Sequence, residues 1–87
     1  MRAIYKYSLN RDGGMVFMPT GAVPLHVGEK NGTLYVWCIV YPEAEKQHYQ
    51  FRVIGTGHVF AGMEGAQYVG TAQMMSGLVW HVFFVTP

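Results

Sequence analysis

Charge is the first thing in short supply. Charged residues make up 13% of the 87 positions, about half the roughly 25% of an average soluble domain. The six basic and five acidic residues leave a net charge of +1. Arg2, Lys6, Arg11, Lys30, Lys46 and Arg52 are scattered along the chain, not gathered into the basic patch that duplex nucleic acid requires. Five carboxylates are too few to imitate a phosphate backbone. Cysteine is nearly absent. Cys38 stands alone, which excludes an intrachain disulfide and a cysteine-based zinc site. No apolar run approaches the ~20 residues of a membrane-crossing helix, and Met1 to Tyr7 carries no apolar signal-type stretch. The expectation is a soluble cytoplasmic protein with no membrane or duplex nucleic-acid partner. Helical periodicity is missing too. No window of ten or more residues repeats apolar positions at i, i+3, i+4 and i+7.

What is present is strand and turn. Val, Tyr, Phe, Trp and Thr dominate, and Gly or Pro interrupts at short intervals, the pattern of an all-β domain. Strands are expected over Ala3–Leu9, Met15–Met18, Ala22–Gly28, Thr33–Tyr41, Gln47–Ile54, Ala66–Met74 and Leu78–Val85. Asn10–Gly14, Thr20-Gly21, Asn31-Gly32 and Met75–Gly77 mark turns. Thr33–Ile54 reads as one antiparallel hairpin with a solvated tip at Pro42–Lys46. Val59–Gly65 reads as a loop with apolar members packed down. Residues 1–87 then form a single all-β domain of six to seven short strands, a small antiparallel meander closed as a barrel or folded as a sandwich.

Leu34 to Tyr41 is apolar at every position. In a strand, Leu34, Val36, Cys38 and Val40 face one way and Tyr35, Trp37, Ile39 and Tyr41 the other. Both faces need cover, and Leu78–Val85 repeats the pattern. A domain this small buries only ~60–65% of its unfolded surface unaided, so association into a homo-oligomer is expected.

Signals for catalysis are weak. His26, His48, His58 and His81 share no metal-ligand spacing. Ser8, Ser76 and Cys38 lack a nucleophile motif, and the acids fall in turns. The chain does not read as an enzyme, and no cofactor is implied. The Gly55-Thr56-Gly57-His58 corner is the best candidate site. Two glycines allow close approach of a ligand to backbone N–H groups, a hydroxyl and an imidazole flank them, and Arg52 supplies a fork suited to phosphate. The alternative is a tight corner or bulge that re-aims the strand. Trp37 and Trp80 either stack on a planar ligand or fill the core, and His81 is either a ligand contact or a satisfied core residue.

Six stretches, Ile4–Tyr7, Met18–Ala22, Asn31–Leu34 running into Trp37, Phe51–His58, Tyr68–Thr71 and Leu78–Phe83, occur in an order and spacing that resemble a family of short, functionally uncharacterised proteins of tailed phages and prophages. The likeness covers nearly the whole chain. Asn10–Gly14 departs from it, since that family is usually more acidic there. The resemblance implies a phage setting and action in the host cytoplasm. By analogy it points to sponge proteins, compact β-rich oligomers that sequester cyclic-nucleotide immune signals without cleaving them. On that reading Arg52 takes phosphate charge, Gly55 and Gly57 give N–H donors, Thr56 and His58 hydrogen-bond the ligand, and Trp37 or His81 stacks on the base. Two other readings are a protein-binding, anti-CRISPR-like inhibitor and an accessory virion protein.

Overall fold

A computed structural model describes residues 1–86. Among the described residues seven strands form and no helix: β1 (Ala3–Leu9), β2 (Gly14–Pro19), β3 (Val23–Lys30), β4 (Thr33–Val40), β5 (Lys46–Gly55), β6 (Ala66–Gln73) and β7 (Val79–Val85). They make two antiparallel sheets, ordered β1-β4-β3 and β2-β5-β7-β6. The strands predicted from the sequence are present, β1 with both ends as expected and the others with ends moved by at most two residues.

The connections differ from a meander. Only β3–β4 and β6–β7 are hairpins between neighbours. At β3–β4, Asn31 (φ 53°) and Gly32 (φ 81°) occupy the left-handed region, as a two-residue hairpin turn demands. The Gly32 N–H donates to Glu29 Oε2 at 2.7 Å. The expected Thr33–Ile54 hairpin does not form. β4 and β5 lie in different sheets, and Tyr41–Glu45 carries the chain from one to the other. Apolar residues on both faces of β4 fit a central strand as well as a hairpin arm, and the pattern names no partner. β7 is likewise central, between β5 and β6, and not beside β4.

Burial in β4 alternates at every residue. Leu34, Val36, Cys38 and Val40 are fully enclosed, with Leu9 and Val27 from the same sheet and Met18, Tyr49, Phe51, Val53, Ala72, Val82 and Phe84 from the other. Each large apolar side chain so enclosed contributes about 1.5–3 kcal/mol. Phe84 packs at 5.4 Å from the Tyr49 ring and 5.2 Å from Phe51. The Tyr49 hydroxyl accepts from the Gly21 N–H at 2.9 Å and from Gln47 Nε2 at 2.7 Å, so its polar tip is satisfied inside an apolar setting.

The opposite face of β4 is only partly covered. Lys6 sits 4.6 Å from the centre of the Tyr35 ring, a cation–π contact. The Trp37 indole lies over Gly28, where a Cβ would stand 3.1 Å from it, with His26 beside it at 6.0 Å. The two sheets meet closely along β3 and β6, where Gly70 lies against Val27. The β1 and β2 side is open: β1 turns into β2 at Asn10–Gly13 and joins the other sheet without pairing to it. Tyr5, on the core-facing register of β1, is consequently 44% exposed.

Candidate functional site

The outer face of the β2-β5-β7-β6 sheet carries the polar cluster. Cross-strand register sets Arg52, Phe83 and Tyr68 in one row and Ile54, His81 and Thr71 in the next, roughly 6.6 Å along the strands. Thr56 follows Ile54 at the end of β5, its N–H donating to the Val79 carbonyl at 3.1 Å.

A chain of hydrogen bonds crosses this face. Thr56 Oγ1 lies 2.7 Å from His81 Nε2, Thr71 Oγ1 lies 3.0 Å from His81 Nδ1, and the Tyr68 hydroxyl lies 2.6 Å from Thr71 Oγ1. A neutral imidazole has one donor and one acceptor nitrogen, so the chain runs in one of two directions. If Nε2 donates, Tyr68 donates to Thr71, Thr71 donates to Nδ1, and the Thr56 hydrogen points outward. If Nδ1 donates, the order reverses and the Tyr68 hydrogen points outward. Either way one end offers a free hydroxyl donor.

A β-bulge makes the chain possible. The β6–β7 register shifts between Tyr68 and Gly70, leaving Val69 unpaired. In a regular strand, residues three apart point to opposite faces. The inserted residue brings Tyr68 and Thr71 onto the same face, with Tyr68 edge-to-face on Phe83 at 5.7 Å. Sequence reasoning does not single out Tyr68, Thr71 or Phe83. The predicted β6–β7 hairpin would have found Thr71 opposite His81, but nothing in Gln-Tyr-Val-Gly announces the bulge.

Arg52 is partly committed. Its Nη1 donates to the Ala61 and Gly62 carbonyls, both at 3.3 Å, which pins the loop of residues 56–65 as it passes over β7 from β5 to β6. Its other nitrogens make no hydrogen bond among the described residues. The loop is not packed down as expected: Val59 is 98% exposed, Phe60 is exposed, and only Met63 is half-buried. Arg52 holds its backbone while its apolar side chains face outward.

The Gly55–His58 corner is first of all a tight turn. The His58 N–H donates to the Gly55 carbonyl at 3.0 Å, with Gly57 at φ 87°. A Cβ at Gly55 would lie 2.8 Å from the His58 imidazole and 3.1 Å from Trp80. Gly55 thus admits a histidine, which rests on the Trp80 ring at 6.2 Å in an edge-on arrangement. Trp80 packs against the core, its Nε1 buried without a partner among the described residues.

Arg52, Thr56 and His81 are therefore brought to the outer face of one sheet, whereas His58, held against Gly55 and Trp80 on the core-facing register of β5 and β7, lies on its other side and does not join them. Trp37 is not among them. It lies on the outer face of the other sheet, with the whole core between. Among the described residues no group of three or more His, Cys, Asp or Glu side chains could hold a metal ion.

No curated protein and no solved structure matches the chain. Residues 1–87 match a family described as "Domain of unknown function (DUF7352)", and the chain belongs to that family.

Proposed function

We propose that this protein is a phage-encoded, homo-oligomeric binder that sequesters a small nucleotide-type signal of host immunity without cleaving it. The observation that carries this reading is the pair of adjacent rows on one sheet face. Arg52 supplies a guanidinium with unused donors for phosphate. Thr56, His81 and Thr71 form a polarised row with a hydroxyl to spare. The exposed Tyr68 ring, braced by Phe83, offers a planar surface for a base. Stacking moves from Trp37, which faces away, to Tyr68. The phage setting is supported by the resemblance described above.

The Thr56–His81 contact also favours a second reading, since a hydroxyl at 2.7 Å from imidazole is the geometry of a nucleophile and its base. Against turnover stands the group behind the imidazole. Thr71 is neutral and cannot stabilise an imidazolium as a carboxylate does.

Calorimetric titration against cyclic dinucleotides and cyclic ADP-ribose isomers is the test, followed by mass spectrometry of the released ligand. Saturable binding with the ligand recovered intact supports sequestration. A cleaved product moves the assignment to the second reading, and no heat from any member of the panel overturns the proposal. Arg52→Ala removes charge-assisted hydrogen bonds of about 1.5–3 kcal/mol, so affinity should fall roughly 10- to 100-fold.

A further inference from the structure

A sheet edge presents unpaired N–H and C=O groups, and proteins blunt such edges with lysine, proline, bulges or a covering element. Four strands here are edges: β1 and β3 of one sheet, β2 and β6 of the other. Three are protected. β1 carries Lys6. β3 carries Pro24 at a bulge and is covered by β6 at the Val27–Gly70 contact. β6 is bulged between Tyr68 and Gly70 and covered by β3 in return. β2 has no such device. Gly14-Met15-Val16-Phe17-Met18-Pro19 holds no charge and no bulge, and its single proline is its last residue. On its outer face Met15 is 62% and Phe17 53% exposed, and Phe17 stacks on His48 at 4.8 Å.

We propose that β2 is the dimerisation edge and that its occupant is β2 of a second copy, paired antiparallel about a twofold axis at Val16. The exposed Met15 and Phe17 side chains fit this occupant. In one continuous sheet, opposed residues must share a face. A twofold at Val16 sets Val16 against Val16, Gly14 against Met18 and Met15 against Phe17 of the other copy. The two outer contacts are then sulfur–aromatic pairs, made twice by symmetry. Pro19, which has no N–H to give, falls just outside the ladder. The result is an eight-stranded sheet ordered β6-β7-β5-β2 and then β2-β5-β7-β6 of the second copy. This names the surface for the self-association in the proposed function, and it needs no ligand.

Sedimentation equilibrium across micromolar to millimolar concentrations tests it, with amide exchange read at residues 14–18. The expected result is a shift from one chain mass to two, with the amides of residues 14–18 that do not pair with β5 protected only in the dimer. Phe17→Lys and Met15→Glu, both at exposed outer positions, should each weaken self-association at least tenfold while circular dichroism keeps the parent strand signal. Mixing the two variants should restore dimers. The lysine introduced at position 17 of one copy then faces the glutamate introduced at position 15 of the other, and the remaining Met15–Phe17 pair is native. Misfolded copies could not produce that recovery. A monomer at every concentration, a dimer indifferent to both substitutions, or a dimer with freely exchanging β2 amides overturns the proposal. A monomer that still binds a nucleotide leaves the ligand reading standing, and a β2 dimer that binds none removes only that reading.

Discussion

A methyl group at Gly70 would stand 2.8 Å from Val27 Cγ2 and 3.5 Å from the Val27 backbone nitrogen. Val27 is buried and β-branched, so it has little room to turn. Gly70→Ala is expected to lower stability by about 1–3 kcal/mol, the usual cost of overpacking, measured by urea unfolding. Cys38 is fully buried between the sheets, and desolvation pushes its thiol up to about 12. The folded chain holds that proton more tightly than the unfolded chain, whose thiol titrates near ~8.5. Cys38 therefore contributes stability that is whole below about pH 8.5 and falls as pH rises towards 12. Melting temperature should decline over that window, and Cys38→Ala should flatten the decline. Its inertness is legible in the sequence from its place in an apolar run. The candidate site is legible unevenly. Arg52, Thr56 and His81 stand out by type, whereas Tyr68 and Phe83 look like ordinary strand aromatics until the register joins them.

At the level of elements, strands are readable because alternation and glycine-rich turns are local properties. Partners are not, because a strand apolar on both faces fits several neighbours equally well. β4 shows this: its extent follows from the sequence almost to the residue, yet its neighbours are β1 and β3 and not β5. The loop of residues 56–65 is equally opaque. Its apolar residues suggest burial, while the Arg52 guanidinium, bound to the Ala61 and Gly62 carbonyls, holds the middle of the loop, and Thr86 Oγ1 donates to the Gly65 carbonyl at its far end. Arg52→Ala should release the middle. Protease cleavage across 59–63 is expected to rise several-fold while the stability to denaturant stays within the change ordinary for a surface substitution, about 0.5 kcal/mol. A loop that stays protected would show that some other contact holds it.

For the molecule as a whole, most pairing joins strands distant in sequence: β1 with β4, β2 with β5, β5 with β7. Such topologies close long loops before contacts repay the entropy. Folding is expected in roughly milliseconds to seconds, followed by stopped-flow fluorescence of Trp37 and Trp80. A microsecond relaxation would contradict the topology. The order of the strands has a consequence for biosynthesis. The three strands of the first sheet all lie within residues 3–40, so they can pair as soon as that length has left the ribosome. The second sheet cannot be completed then, because β7 fills the lane between β5 and β6. Until translation has run through Val85, β5 and β6 have no strand to join them, and the second sheet cannot close.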